Sequence, residues 1–244
     1  MNIFNTYALL GLMASGSALA AIPAAQAQVA GIATTDTTDV IMSAKAFGIA
    51  YKQIGTTFQA NGDLMNQKRR EINDINTQLD TNKDKNLTQE ELDAAVKAKN
   101  PLLKQLDEKE KEVAQLQQPI VTAQAFALES IAAKFSEAQQ RVVTAKKINI
   151  VLSPDAIIWA PETVDITAAI AAELDKIIPT VAITPPADWR PQSTTEPLYQ
   201  QVQQRLMQAA RIQAYRDAQQ AAAQQQPGQP TAPVGQPQNP DEGR

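Results

Sequence analysis

The sequence predicts an α+β fold in which a long antiparallel α-helical, coiled-coil-like hairpin arm projects from a small β-rich body. Two stretches of helical periodicity with similar length lie between short strand-like segments. Only 5% of the 244 residues are aromatic, while Ala, Gln and charged residues are abundant. Such a composition favours long helices over a large globular core. We therefore expect an arm over residues 40–146 and a body formed by residues 28–39 and 147–180.

The composition also excludes several classes of function. The chain contains no Cys and no His, so disulfides, thiol chemistry and Cys-based zinc sites are excluded and the commonest general base is absent. A formal net charge of −4 gives no reason to expect a nucleic-acid partner. Acidic pairs such as Glu90 with Glu91 are typical of solvated helix faces when no nucleophile or base accompanies them. We therefore predict no catalytic residues, no enzymatic activity and no required cofactor.

The N-terminal segment, residues 1–27, is typical of a secretory signal peptide. An apolar run of small residues spans 8–22, and an Ala-Gln-Ala triplet ending at Ala27 fits an A-x-A cleavage site. No Lys or Arg precedes the run, so the terminal amine is the only positive charge there. A membrane anchor is the alternative, but the run is short and interrupted by two serines and a glycine. We expect export, with cleavage near Ala27.

The mature chain begins with a short strand and continues into the outgoing helix of the arm. Residues 29–34 have the character of a strand, and Thr38 or Asp39 can cap the helix that follows. Apolar residues then recur at alternating steps of four and three, which is a heptad seam over roughly 60 Å of helix. Asn61 and Lys68 interrupt the seam, and such polar positions usually set register at a cost in stability. The seam contains Val40, Ala44, Phe47, Tyr51, Ile54, Phe58, Asn61, Met65, Lys68, Ile72, Ile75 and Leu79.

Three glycines, Gly48, Gly55 and Gly62, fall seven residues apart on a neighbouring line of the same helix. Each glycine costs about 1 kcal/mol of helix stability relative to Ala. Three interpretations stay open: a pliable arm, a line where another backbone comes close, or chance in a helix that packing holds together.

The tip of the arm, residues 80–91, has the pattern of an EF-hand calcium loop. Calcium takes six to eight hard oxygen ligands, and this loop carries oxygen-bearing groups at the ligand positions. The candidate ligands are Asp80, Asn82, Asp84, Asn86 through its carbonyl, Thr88 or a water, and Glu91. Lys85 stands where the sharp turn calls for Gly, so we expect weak Ca²⁺ binding in the millimolar range. A polar hairpin tip without a metal is the alternative, and the sequence does not decide between them.

The return helix begins at Asn100-Pro101, an N-cap followed by Pro at the first helical position. Its apolar seam extends over about 45 residues, or roughly 68 Å, and therefore matches the outgoing helix in length. Pro119 removes one helix hydrogen bond, and we expect a kink there. Two antiparallel helices of similar length that return to the same sheet form an arm rather than a globule.

The segment 147–180 closes the body. Alternating apolar residues predict a strand over 147–152, and a Ser-Pro-Asp turn leads to a second predicted strand over 156–160. A helix follows, led by Asp165-Ile166-Thr167, and Pro179 ends it.

The order of these elements resembles that of the periplasmic OmpH/Skp chaperone family. The block INIVLSPDAIIWA, residues 148–160, and the Asp-Ile-Thr start of the next helix carry a resemblance that covers about residues 28–180. It implies a periplasmic homotrimer whose β-rich trimerisation body holds three helical arms. It also implies an ATP-independent holdase that binds unfolded outer-membrane proteins in the cavity between the arms. Three short strands are too few for a stable sheet, and pairing across subunits would remove their exposed edges.

Under this resemblance, apolar residues of the arm contact the client. The candidates are Phe58, Met65, Ile72 and Phe126, whose charged neighbours predict weak, adaptable contacts to an unfolded chain. An outer-membrane or lipopolysaccharide contact is a further implied partner, although basic and acidic residues are nearly balanced in this arm. The alternative function is a coiled-coil structural or adaptor protein of the cell envelope, with calcium as a modulator. Such a spacer would not suppress the aggregation of an unfolded client.

The C-terminal part of the chain lies outside the family pattern. A proline pair at 185–186 and a further proline at 191 predict an extended linker over 181–195, with Trp189 docked on the body. A Gln/Ala-rich helix is expected over 196–224, with a thin apolar stripe. The Pro-, Gln- and Gly-rich residues 225–244 cannot bury a core, so we expect a disordered tail.

Overall fold

The structure is a computed structural model that describes residues 31–224. Three sequence predictions lie wholly or partly outside the described residues: the signal peptide 1–27, the beginning of the first strand at Val29, and the disordered tail 225–244. Within the described range the chain is mostly helical, with few strands. No helix in this range is both long and apolar enough to span a membrane.

The elements alternate between a small body and a long helical excursion. In chain order they are β1 (Ile32–Thr34), α1 (Thr37–Ser43), α2 (Lys45–Thr57), α3 (Gln59–Leu79), α4 (Gln89–Lys97), α5 (Leu102–Ala132), α6 (Phe135–Lys146), β2 (Ile150–Leu152), α7 (Thr167–Ile177) and α8 (Thr195–Gln224). Two short 3-10 turns, Pro154–Ala156 and Glu162–Val164, join β2 to α7.

The sheet observed within residues 31–224 consists of two strands that run parallel. Ile32 of β1 pairs with Ile150 of β2, and Thr34 makes a further bridge to Asp165. The predicted strand at 156–160 is wrong, because the chain forms a 3-10 turn and then an irregular segment there. A strand needs a neighbour to satisfy its backbone groups, and no segment of the described chain pairs with 156–160. The body is therefore built mainly from α1, α6 and α7 around a two-stranded sheet.

The core of the body includes side chains from the root of the return helix. Leu128 and Ile131 of α5 are completely buried, as are Val40 and Ile41 of α1. Helix α7 contributes Ile170 and Leu174, and α8 contributes Val202, to the same core. Helix α5 is therefore shared: its last turns belong to the body and its first turns to the arm.

The heptad seam predicted as one helix over 40–79 is divided among α1, α2 and α3. At Ala44 the backbone is extended, with φ −66° and ψ 139°, which ends α1. The carboxylate of Asp175 on α7 accepts a hydrogen bond of 2.7 Å from the Lys45 N–H and so caps α2. A second break occurs at Phe58, where φ is −107° and ψ is 22°. At Ala44, therefore, a tertiary cap accompanies the end of a helix that the periodicity alone predicts to be continuous.

Beyond the body, α3 and α5 pack against each other in antiparallel orientation. Asn61 contacts the Leu116 carbonyl, and Ile75 and Leu79 pack near Leu102 and Leu106 at the far end. Helix α5 begins at Leu102, one residue after the predicted first position at Pro101, and the Leu102 N–H donates to the Asn100 side chain at 3.0 Å. Helix α5 is continuous through Pro119, and the kink expected at that residue stays a prediction.

Candidate functional site

The predicted client-binding residues are half-buried, but they lie in two different environments. Met65 and Ile72 lie on α3, in the part of the arm that extends from the body. Phe58, at the α2–α3 junction, packs at the margin of a cluster at the root of the arm. Phe126, on α5, contacts Trp189 edge-to-face with ring centroids 5.5 Å apart. The structure therefore places Phe58 and Phe126 beside the C-terminal segment 181–195, and Met65 and Ile72 further out.

A ring of four charges joins α3 to α5 in the middle of the arm. Lys68 lies 2.6 Å from Glu112, and Lys109 lies 2.9 Å from Glu71, with longer cross contacts that close the ring. The hydrogen bond from Lys109 is the largest influence on Glu71 and lowers its pKa. The bond from Lys68 likewise lowers the pKa of Glu112. Lys68 thus interrupts the apolar seam because it has an acidic partner on the facing helix.

The tip loop, which carries the six candidate calcium ligands, is held together by its own hydrogen bonds. Glu91 accepts from the Thr81 N–H at 2.8 Å, from the Asn82 N–H at 3.2 Å, and from the Thr88 N–H at 3.0 Å. The hydroxyls of the two threonines donate to the same carboxylate. These bonds, with the Thr88 and Asn82 N–H groups first, lower the pKa of Glu91 to about 2. Glu91 therefore has a complete set of donors without a metal.

Two other acidic side chains of the tip, Asp80 and Asp84, also accept hydrogen bonds from the backbone of their own loop. The two oxygens of Asp80 accept from the Lys83 and Lys85 N–H groups, each at 2.7 Å. Lys85 has a φ of 68°, so it adopts the left-handed conformation that an EF-hand reserves for Gly. Asp84 accepts from the Asn86 N–H at 2.8 Å. Among residues 31–224, no group of three or more acidic side chains is placed to hold a metal ion. Calcium binding stays a prediction, and it requires Glu91 to exchange hydrogen bonds for the metal.

The segment 181–195, here called the strap, packs across the root of the arm. Ile183 is 5% exposed and lies among Ala50, Ile54, Ala123 and Ala127, in the space between α2 and α5. The sequence predicted an extended linker here, and in the structure this segment packs against α2 and α5. Periodicity could not reveal it, because an extended segment with one buried side chain has no repeating pattern.

Glu129 of α5 holds the second half of the strap. It accepts from the Trp189 indole N–H at 3.1 Å and from the Gln192 backbone N–H at 2.9 Å, and the Thr195 hydroxyl donates to it as well. Burial by itself raises the pKa of Glu129, but these hydrogen bonds outweigh it and the pKa lies below its ordinary value. Sequence reasoning missed Glu129. The available signal was Trp189, since an indole N–H that becomes buried usually finds an acceptor.

Helix α8 is fixed to the body by a buried side chain and a charged clamp. The guanidinium of Arg205 contacts Asp36 and Asp39 at the beginning of α1, the latter at 2.6 Å. Val202, one turn earlier, is completely buried. A groove of about 750 Å³ lies between α8 and the strand β2.

An apolar patch on the body is left open to solvent. Ile158 is completely exposed, Trp159 is 81% exposed and Ile150 is 49% exposed. Ile158 and Trp159 are neighbours in the chain, so they form an exposed apolar surface on the body, and Ile150 of β2 is a further exposed apolar residue there. The patch lies at the segment that was predicted to be a strand.

A protein-family model matches most of the described residues. The model of the OmpH-like outer membrane protein family matches residues 31–174. A solved structure from Caulobacter crescentus CB15, described as that of an OmpH-like outer membrane chaperone, shows 20% sequence identity over 62% of this chain and 88% of that chain. Its TM-score is 0.42. No curated protein sequence matches the chain.

Proposed function

The chain belongs to the OmpH-like family of outer membrane proteins, and from this premise we propose that it is an ATP-independent holdase chaperone of the periplasm. It binds unfolded outer-membrane proteins in a cavity between helical arms. Membership of the family supports a chaperone-type role, and the arm supports the holdase mechanism. Met65 and Ile72 stay half-buried on α3, so they offer apolar surface without forming a closed pocket. Such surface suits a client that has no fixed shape.

The observation that carries the proposal is the antiparallel pair of α3 and α5 beyond the body core. The four-charge ring of Lys68, Glu71, Lys109 and Glu112 and the capped tip keep this pair together. Ion pairs that are partly exposed contribute about 0–1 kcal/mol each, so they fix the geometry more than they stabilise it. An arm held in this way can enclose a client without becoming part of the body.

We also propose a homotrimer, in which the exposed patch of one subunit faces the free edge of β2 in the next. The patch residues Ile158 and Trp159 supply the apolar contact, and the outer edge of β2 supplies unpaired backbone groups. A two-stranded sheet is marginal alone, and added strands from neighbours would stabilise it. Multi-angle light scattering tests the assembly, and a stable folded monomer at micromolar concentration would contradict it.

The holdase mechanism is tested by shortening the arm where the structure permits it. Asn61 and Leu116 are in contact, so residues 64–114 can be removed and a short turn can join the two helices. This deletion keeps Leu128 and Ile131, which the body core needs. Full-length protein should keep a urea-unfolded β-barrel protein soluble on dilution, and the shortened protein should not. Equal protection by both proteins would refute a role for the arm, and no protection by either would favour the spacer function.

A further inference from the structure

We propose that the strap, residues 181–195, occupies within its own chain a binding site for extended polypeptide at the root of the arm. Client segments then bind by displacing the strap. The proposal rests on the holdase function and names a client site and its regulation. The site has an apolar half around Ile183 and a polar half around Glu129.

The apolar half of the site accepts a branched side chain from an extended segment. Ile183 lies on a floor of two alanines of α5, Ala123 and Ala127, with Ile54 of α2 beside it. Small residues let the backbone of the strap approach the helices closely while its side chain fills the space. The interaction depends on shape and apolar area, which many β-barrel segments can supply equally well.

The polar half recognises features common to unfolded chains. Glu129 accepts from the backbone N–H of Gln192, a group that every residue except Pro carries. The same carboxylate accepts from the Trp189 indole, whose ring also contacts Phe126. An aromatic residue followed by a free backbone N–H would reproduce both contacts. The ligand class is therefore an extended apolar segment that contains an aromatic residue.

The surface continues beyond the strap, so a displacing client gains contacts that the strap does not make. A groove of about 320 Å³ runs along the arm past Phe58 and Ile120. Gly55 and Gly62 line it, and a Cβ at either position would meet no atom of the described chain within 4 Å. The strap covers the inner end of this surface, and the outer end is open.

The strap is tethered at both ends, which makes it an effective competitor. It follows the body helix α7 and leads into α8, which Val202 and Arg205 hold in place. Tethering raises the effective concentration of the strap at the site, so individually weak contacts keep it closed. Only the form with the strap displaced binds a client, so the apparent affinity equals the intrinsic affinity multiplied by the fraction of that open form.

The test follows Trp189 while a client binds. The chain contains two tryptophans, so Trp159→Phe leaves Trp189 as the sole emitter and retains an aromatic ring on the body. A urea-unfolded β-barrel protein whose own tryptophans are replaced by phenylalanine is added to this variant, and the quenching of Trp189 by acrylamide is measured. We expect quenching to increase as client binds. Client binding that leaves Trp189 shielded would overturn the proposal.

A second variant releases the strap without a client. Glu129→Gln in the same background removes the charge that accepts the strap's donors, and Asp188→Asn, an exposed carboxylate on the strap, is the matched control. Loss of charge-assisted hydrogen bonds should open the strap and tighten the apparent Kd for the client by about tenfold. Unchanged quenching in Glu129→Gln would overturn the role of Glu129, and an opened strap without tighter binding would overturn the competition. If the strap opens but no variant binds client at all, the holdase function itself is refuted.

Discussion

Replacing any of the three glycines of the outgoing helices by alanine should stabilise the protein. Gly48 and Gly55 lie in α2 and Gly62 in α3, and a Cβ at each would meet no atom of residues 31–224 within 4 Å. No packing is therefore lost, and each Gly→Ala change recovers helix propensity of about 1 kcal/mol. The sites are seven residues apart, or roughly 10 Å along a helix, so their effects should add. The triple variant should gain about 2–3 kcal/mol.

Thermal unfolding followed by far-UV circular dichroism measures this gain. For a domain of this size, about 1 kcal/mol shifts Tm by roughly 2–4 °C, so the triple variant should melt about 5–10 °C higher. Protein concentration must be equal for all variants, because assembly shifts apparent stability by mass action. Ala114→Gly is the opposite control: Ala114 is exposed in the interior of α5, and the change should cost about 1 kcal/mol of stability.

The outcome also separates the three interpretations of the glycine line. A variant that is destabilised would refute the open-space argument and show that another backbone comes close there. A variant that is stabilised but protects clients less well would indicate that the arm needs pliability. Stability gained with full activity would leave chance as the explanation.

Three further predictions concern the C-terminal helix, the strap and the tip. Val202→Ala truncates a completely buried side chain and should lower the free energy of unfolding in urea by about 2 kcal/mol. The control Met207→Ala changes a side chain that is 54% exposed and should alter that free energy by less than about 0.5 kcal/mol. Equal effects of the two changes would contradict the docking of α8. The folded-state pKa of Glu129 lies below its ordinary 4.5, so its hold on the strap is complete above that pH and is lost as the pH falls through the lower value. Acrylamide quenching of Trp189 should rise only in that acidic range, and a rise near neutral pH would contradict the assignment. Calorimetry should detect Ca²⁺ only at millimolar concentration, with no heat for Glu91→Gln, because the metal must displace hydrogen bonds that Glu91 already makes. Equal or absent heats for both proteins would identify the loop as a polar turn.

Local features of the arm could be predicted because they depend on residues close in the chain. Asn100 caps α5 as expected, and helical periodicity indicated both helices of the arm. The tip pattern predicted either a calcium loop or a polar hairpin tip, and in the structure the carboxylates of Asp80 and Glu91 accept from backbone N–H groups of that loop. What a local pattern could not decide is whether those oxygens bind a metal or the backbone of their own loop.

The remaining features are decided between residues that are far apart in the chain. Asp175 ends the continuous seam at Ala44 by capping α2 from another helix, and Glu129 captures Trp189 from 60 residues away. The irregular course of 156–160 has the same origin, since a strand forms only where a neighbour supplies its hydrogen bonds. The sequence by itself therefore determined the periodicity, the caps and the turn chemistry of this protein. Only the tertiary structure decided which surface covers each apolar stripe. Burial and strand pairing each depend on two segments, and the sequence of one segment does not specify the other.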